Sequence, residues 1–263
     1  FTIAAYIGIH LYSSSNSNTI TNSTGTSIGG NGITIYSSSI FNTVTNSTGT
    51  TSGSGGTGFY LGSDSNTITN STGTTTSGNS IYLTSSSNNI LTNNTFFSTG
   101  GTSTLALLTG TSGNNTFHWN NFTSTTGLYV NDTNGSNYYN TTLSGHGEGN
   151  IWVNVINGSV NIAGASASLF GSGLYYGTTG TGYPYNSSTA GGKLLGNVVD
   201  YAPLTTNNNV PPLIAYQISF TNASAGHWFT ATAGVSDANG GTDIASTNIT
   251  SGSPGSCSYL SNS

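Results

Sequence analysis

Any acid–base or metal chemistry in this chain has to come from very few side chains. The 263 residues include one Lys or Arg, six Asp or Glu and four His. The best candidate pair is His146 and Glu148, which lie two residues apart in the glycine-rich segment 144–150. Glycoside hydrolysis needs a second carboxyl group, and a zinc site needs at least three protein ligands. The segment offers neither, so we interpret it as a structural loop and expect no catalytic residue, no metal site and no cofactor.

Asparagines in Asn-x-Ser/Thr sequons are a second kind of reactive candidate, because they can accept N-linked glycans. The chain has thirteen sequons, but about 11 would arise by chance from its composition. Their spacing is more informative, since Asn22, Asn46 and Asn70 recur every 24 residues and predict a row along one edge. The glycosylation candidates are Asn22, Asn46, Asn70, Asn93, Asn114, Asn121, Asn131 and Asn140.

The composition excludes several classes of partner and structure. One cationic residue cannot neutralise a phosphate backbone, so we expect no nucleic-acid partner. No apolar run reaches about 18 residues, so we expect no membrane span. Cys257 is the single cysteine, which excludes an internal disulfide framework. Hydrophobic residues make up 33% of the chain and are regularly spaced, which favours a folded protein over a disordered one.

A repeat of about 24 residues positions these side chains. Segments 8–26, 32–50, 58–74 and 80–95 are copies of one another, and segments 104–122 and 127–140 are weaker copies. Each copy starts with alternating apolar residues, as in a strand with one buried face, and Ser, Asn and Gly favour turns between strands. This pattern predicts the coils of a parallel β-helix, which stack to bury continuous apolar columns.

The strand alternation predicts one outward column between two inward ones. The inward columns are Ile9, Ile33, Phe59, Ile81, Leu105 and Leu128, and Leu11, Ile35, Leu61, Leu83, Leu107 and Val130. The residues between them should point away from the core, and they include Tyr60, Tyr82 and Tyr129. We predict these three tyrosines as a contact surface for sugar rings or a neighbouring subunit. The alternative is that they only cover the sheet.

Asn18, Asn42 and Asn66 recur at the same 24-residue interval, between the two strands of each copy. Stacked asparagines can hydrogen-bond from coil to coil as an amide ladder. We predict such a ladder, the alternative being that these residues only form turns.

Two segments carry a resemblance to a known family. Residues 114–122 have the sequence NNTFHWNNF, and residues 149–152 have the sequence GNIW. They resemble the N-x-F-x-x-N-N-F coil and the G-N-x-W closing segment of NosD-type repeats, in the pectate-lyase-like superfamily of secreted and archaeal surface proteins. The resemblance covers about residues 6–204 and implies an all-β, right-handed parallel β-helix. The family often has an Asp-rich stretch after G-N-x-W, but residues 153–172 contain no Asp or Glu, so metal binding is not expected there.

Loss of the repeat predicts the domain organisation. Residues 1–204 form the β-helix, with a closing region from about residue 145, because a β-helix must cover its last coil. Residues 205–212 are a polar linker, and residues 213–263 alternate like the start of an immunoglobulin-like β-sandwich module. Such a sandwich needs about 100 residues, so we expect this module to be incomplete. The chain enters at Phe1 without a capping segment, which predicts either a missing upstream part or a neighbouring subunit at that end.

These observations favour a non-enzymatic, extracellular structural protein. We expect a glycosylated subunit of a self-assembling cell-surface structure such as a filament, sheath or surface layer. Its expected partners are further copies of itself and surface polysaccharide. One alternative is a carbohydrate-binding or adhesion module, and another is a polysaccharide lyase or hydrolase using His146 and Glu148.

Overall fold

The computed structural model describes residues 6–100, 103–123 and 126–208, together with two short strands further along the chain. The chain divides into two compact units, Phe1–Asn208 and Asn209–Ser263. Apart from one four-residue helix, the regular elements described in the first unit are β-strands, and this unit contains all the candidate site residues named above.

Five complete coils of three strands each make up the body of the first unit. In chain order the coils are β1–β3 (Ile7–Leu11, Thr19–Thr21, Thr24–Ser27), β4–β6 (Asn31–Tyr36, Thr43–Thr45, Thr48–Thr51), β7–β9 (Thr57–Gly62, Thr67–Thr69, Thr72–Thr75), β10–β12 (Asn79–Thr84, Ile90–Thr92, Thr95–Ser98) and β13–β15 (Ala106–Thr109, Thr116–His118, Asn121–Thr123). Strands at the same place in successive coils pair in parallel. They build three sheets, which we call the first, second and third sheets in the order the chain visits them.

The core lies inside the three sheets and follows the predicted columns. Ile33 pairs with Ile9 and Phe59, and Phe59 pairs with Ile81, so like residues stack along the first sheet. Val44, Ile68, Leu91 and Phe117 line the inner face of the second sheet. Burial of such side chains contributes roughly 1.5–3 kcal/mol each, and it is available only because neighbouring coils cover one another.

The third sheet changes character along the molecule. Gly25, Gly49 and Gly73 occupy the inward position in the first three coils, and Phe96 and Phe122 occupy it in the next two. A Cβ atom added to Gly49 would lie 2.3 Å from the carbonyl oxygen of Gly58. In the early coils the backbones of the third and first sheets therefore approach too closely for a side chain at this inward position. In the later coils the same position has room for phenylalanine.

The predicted register is wrong in the last coils. Ile81 pairs with Ala106, which pairs with Val130, whereas the predicted column has Leu105 and Leu128 in these places. The strand at Ala106 is therefore shifted by one residue from the predicted columns, and the strand at Val130 by two. Segment 105–108 consists of four consecutive apolar residues, and such a run does not define which residues face inward. Leu108 takes the inward position beside Leu83.

The predicted asparagine ladder is confirmed. Asn18 Nδ2 donates to Asn42 Oδ1 and Asn42 Nδ2 donates to Asn66 Oδ1, both at 3.1 Å. This first ladder continues through Asn89, Asn115 and Asn137. A second ladder, between the second and third sheets, runs through Ser23, Ser47, Ser71, Asn94, Asn120 and Asn150. In both ladders each backbone N–H donates to the side-chain oxygen of the next coil.

The remaining elements of the first unit lie after the fifth coil. They are β16 (Val130–Asp132), β17 (Thr141–Leu143), β18 (His146–Glu148), β19 (Ile151–Trp152), α1 (Val153–Ile156), β20 (Ala163–Ala167), β21 (Tyr175–Thr179), β22 (Tyr185–Asn186), β23 (Leu194–Gly196), β24 (Val199–Asp200) and β25 (Leu204–Thr205). Strands β16 and β23 extend the first sheet, and β19 and β25 extend the third. The antiparallel hairpin of β20 and β21 continues the third sheet from β25.

The boundary region and the second unit are described only in part. Thr205 Oγ1 donates to the carbonyl oxygen of Ile162, and the amide of Gly164 donates to Asn207, so residues 205–208 of the predicted linker belong to the first unit. In the second unit, β26 (Leu213–Ile214) pairs antiparallel with β27 (Val235–Ser236). The rest of the predicted β-sandwich, including Cys257, lies outside the described residues.

Candidate functional site

A continuous row of aromatic rings covers the outer face of the first sheet. It consists of His10, Tyr12, Tyr36, Tyr60 and Tyr82, and we call it the aromatic row. Successive ring centroids are 5.1, 6.2, 5.9 and 5.4 Å apart along this order. Such separations fall in the range of favourable aromatic pairs. The row spans four coils and combines apolar ring surface with phenolic hydroxyl groups.

The row is most exposed towards the first coil. Tyr12 and Tyr36 are 53% and 43% exposed, whereas Tyr60 and Tyr82 are half-buried. The hydroxyl groups of Tyr82 and Thr109 form a 2.9 Å hydrogen bond, which holds the last ring in place. Burial, with the neighbouring Tyr36 and Tyr82, raises the pKa of Tyr60. The row contains no Asp, Glu, Lys or Arg side chain, so it suits uncharged ligands or surfaces.

A glycine makes room for the Tyr36 ring. A Cβ atom on Gly62 would lie 2.3 Å from a ring carbon of Tyr36, so only glycine allows this ring to lie against the next coil. Thr34 is buried beneath the row, and its Oγ1 atom has no hydrogen-bond partner. The sheet face under the rings is thus shielded from solvent.

Tyr129 does not belong to this surface, and its prediction as an exposed contact residue is wrong. It is 1% exposed, its hydroxyl group accepts from the amide of Asn154 at 3.2 Å, and its ring packs on Trp152. The strand begins at Val130, and its outward position is Asn131, beside Leu107. Tyr129 comes just before this strand, where strand alternation no longer decides the direction of the side chain, and it lies among the core residues. Tyr60 and Tyr82 do lie on the outer face as predicted.

Three members of the row were not among the predicted contact residues. Tyr12 and Tyr36 lie two positions after the predicted outward column, at or just beyond the ends of their strands. Strand alternation therefore places them on the same face as His10 and Tyr60. Extending the alternation by one more residue pair would have identified them from the sequence.

The buried carboxylates serve as hydrogen-bond acceptors in the fold. Glu148 Oε2 accepts from Trp119 Nε1 at 2.7 Å and from Ser168 Oγ at 2.6 Å, and its Oε1 accepts from the amide of Leu169 at 2.7 Å. His146 contacts the carbonyl oxygen of Ala167 and the ring of Tyr176. Within the described ranges, no group of three or more His, Cys, Asp or Glu side chains could hold a metal ion.

Two other buried carboxylates end the two ladders. Asp132 Oδ2 accepts from Asn137 Nδ2 at 2.9 Å, at the last rung of the first ladder. Asp200 Oδ2 accepts from the amide of Asn150 and from Trp152 Nε1, both at 2.9 Å, at the end of the second ladder. A carboxylate only accepts when ionised, so it completes a chain in which every rung donates in the same direction.

Burial raises the pKa of Asp200 to about 7, although N–H donors from Asn150, Ala202 and Trp152 oppose this rise. No local pattern predicts this role, because residues 150 and 200 lie 50 positions apart. His118 is a further, partly buried side chain that the sequence pattern did not identify. Burial lowers its pKa, its Nε2 atom lies 3.0 Å from Thr92 Oγ1, and its buried Nδ1 atom has no hydrogen-bond partner.

The glycosylation candidates separate into two groups. Asn22, Asn46, Asn70, Asn93 and Asn114 are exposed and have left-handed backbone conformations, with φ between 48° and 56°. Asn121, Asn131 and Asn140 are only partly exposed. The Oδ1 atom of Asn131 is buried without a hydrogen-bond partner.

Comparison with known proteins agrees with this architecture. Residues 7–183 match the family described as the right handed beta helix region. The chain belongs to this right-handed β-helix family, which confirms the fold predicted from the repeat. No curated protein and no solved structure matches it. Within the described part of the chain, no helix has the length and hydropathy needed to cross a membrane.

Proposed function

We propose that this chain is a non-enzymatic, extracellular structural protein that forms part of a self-assembling cell-surface structure. The observation that carries the proposal is the use of the buried carboxylates Asp132, Glu148 and Asp200. Each accepts two or more hydrogen bonds from groups that hold the end of the β-helix together. A catalytic acid or base needs a lone pair or proton directed at a substrate, whereas these groups are directed at the protein.

The surface composition also supports assembly. Seven fixed charges on 263 residues provide little electrostatic repulsion between molecules. The aromatic row adds an apolar face to the β-helix, and amphipathic rings are enriched at protein interfaces. Copies of the chain are the partners that this combination suits best, and an extracellular assembly is the setting we propose.

Electron microscopy of the purified full chain tests this function. Ordered filaments, tubes or sheets that form at neutral pH would support it. Replacing Tyr12 and Tyr36 by Ala tests whether the aromatic row takes part, and Tyr138→Ala is the matched control, because Tyr138 is 57% exposed and lies outside the row. Dispersed monomers over a wide range of concentrations would contradict self-assembly.

A second candidate function is binding of a neutral polysaccharide along the aromatic row. The row favours it because exposed aromatic faces can stack on the apolar faces of sugar rings. Affinity electrophoresis in gels containing neutral polysaccharides would detect such binding. Loss of retardation in the double Tyr12→Ala, Tyr36→Ala variant, with retention in Tyr138→Ala, would assign binding to the row. No retardation of the wild-type chain by any polysaccharide tested would argue against this function.

The role of Glu148 can be tested separately. Glu148→Gln replaces one oxygen acceptor with an amide donor among three groups that donate to it, and we expect a destabilisation of about 1–3 kcal/mol. Chemical denaturation measures this loss. Cleavage of a polysaccharide by the wild-type chain, abolished in a folded Glu148→Gln variant, would instead show that the protein is an enzyme.

A further inference from the structure

Four sequon asparagines lie in line at one corner of the β-helix. Asn22, Asn46, Asn70 and Asn93, which we call the asparagine row, follow equivalent strands of the second sheet in four successive coils. Their φ angles are 49°, 48°, 49° and 54°, and all four are exposed. Their backbone amides donate to carbonyl groups of the next coil, as in the 3.1 Å bond from Asn22 to Thr45. The backbone of the row is therefore fixed at a tight turn.

Each sequon is divided in the same way between the inside and the outside of the molecule. Its middle residue belongs to the second ladder, as Ser47 and Ser71 do. Its third residue is the threonine that starts a strand of the third sheet, and these threonines pair in register from coil to coil. The asparagine and the threonine thus flank a ladder residue in all four coils, and this residue is half-buried in the first coil and buried in the next three.

Three other sequons lack this arrangement. Asn131 has a buried Oδ1 atom. Asn121 Oδ1 accepts from Thr123 Oγ1 at 2.9 Å, and Asn140 Oδ1 accepts from the amide of Tyr201 at 3.2 Å. A glycan on any of these side chains would compete with contacts to the rest of the protein. The asparagine row is exposed in every coil, and the bond from Asn93 Nδ2 to Asn70 Oδ1 lies within the row itself.

We propose that the asparagine row is a site of N-linked glycosylation and that the sequon at Asn131 carries no glycan in the folded protein. The donor would be an oligosaccharide linked to a lipid phosphate, and a separate membrane-bound transferase would catalyse the step. The Nδ2 atom forms a bond to the anomeric carbon, the bond from that carbon to the lipid phosphate oxygen breaks, and the Nδ2 proton leaves to solvent. The inference rests on the extracellular placement proposed above.

The spacing of the coils limits how many glycans the asparagine row of one molecule can carry. Neighbouring coils are one strand spacing apart, about 4.8 Å, which is too close for bulky glycans on adjacent coils. One molecule therefore carries at most two glycans in the row, on non-adjacent coils. The row lies at the corner between the second and third sheets, which the first sheet does not share, so these glycans leave the aromatic row uncovered.

Glycopeptide mass spectrometry of the full chain, secreted from a host that N-glycosylates its exported proteins, tests the proposal. A co-expressed glycoprotein verifies that the host machinery is active. We expect glycans on the asparagine row, at most two there per molecule by intact mass, and none on Asn131. The four-Val variant, with Thr24→Val, Thr48→Val, Thr72→Val and Thr95→Val, removes all four sequons and should lose the mass of the glycans on the row. Thr133→Val removes only the Asn131 sequon and should change nothing.

An unmodified asparagine row beside a glycosylated reference protein would overturn the inference, and so would equal occupancy of Asn131. If the four-Val variant does not fold, Asn46→Gln serves as a second variant, because it keeps all four threonines. We expect it to shift glycan occupancy to the remaining positions of the row. Electron microscopy of the enzymatically deglycosylated chain is a separate measurement. It can contradict self-assembly without affecting the glycosylation result.

Discussion

Asp200 shows how a single charged side chain can hold together the end of the β-helix. Its carboxylate accepts from two backbone amides and an indole, and so joins Asn150, Trp152 and Ala202. The side chain is fully buried, and this burial raises its pKa from the ordinary value of an aspartate to about 7. Protonation is therefore easier in the folded protein than in the unfolded chain, which links the stability of the molecule to pH.

The sign of this linkage predicts a loss of stability as the pH rises. The contribution of Asp200 to the free energy of unfolding is complete below about pH 4, falls as the pH rises through about 7, and is constant above that. Urea denaturation between these pH values measures the slope. Asp200→Asn does not titrate and should lower the slope, while its misplaced amide costs about 1–3 kcal/mol. An identical slope in the two proteins would contradict the raised pKa.

At the scale of single elements, the ladders explain why a chain so rich in Asn, Ser and Thr can fold. Each rung uses a backbone N–H and a side-chain oxygen that would otherwise be buried without a partner. The rungs also fix the register, because a strand shifted by one residue would lose its ladder bonds as well as its apolar contacts. The amides of Asn42 donate to Asn66 Oδ1 at 2.9 and 3.1 Å, so Asn66 is a fully engaged rung.

Replacing a central rung should cost far more than replacing the outermost one. Asn66→Ala removes the acceptor of two buried donors, and we expect a loss of about 1–3 kcal/mol in the free energy of unfolding. Asn18→Ala is the matched control, since Asn18 is exposed in the first coil and accepts no ladder bond from any residue that the structure describes. Chemical denaturation of both variants measures the difference. Equal losses would show that the ladder does not stabilise the protein.

The repeat predicted the elements where its copies are nearly identical. Segments 8–26 and 32–50 share their apolar and asparagine positions, so the strands, the inward columns and the first ladder all followed from alternation and spacing. The prediction failed at Tyr129, where adjacent apolar residues leave the inward face undefined. The acceptor roles of Glu148 and Asp200 depend on partners 20 to 50 residues away, and no local pattern encodes such contacts.

At the scale of the whole molecule, the sparse charge is the dominant property. The formal net charge is −5 at pH 7, and it comes from seven fixed charges. Long-range electrostatic repulsion is therefore weak, and the self-association proposed above would depend on aromatic, hydroxyl and amide contacts. Salt acts on charged groups through screening, so it has little to act on in this protein.

We therefore expect self-association to depend only weakly on ionic strength. Light scattering at fixed protein concentration, between about 0.01 M and 1 M sodium chloride, measures this dependence. The apparent association constant should change less than threefold over this range. A tenfold or larger loss of association at high salt would show that charged contacts drive it and would contradict the proposed uncharged interface.

The one-way ladders have a consequence for how the length of this protein can change during evolution. Because each rung donates to an identical acceptor 24 residues ahead in the first coils, a tandem duplication of one coil presents the same donors and acceptors at both of its junctions. We expect such a duplication to lengthen the β-helix by one strand spacing, about 4.8 Å, without disturbing its ends. Recombination within the repeat can therefore add or remove a coil without loss of stability. The coils that end on Asp132 and Asp200 have no equivalent copy with which to recombine.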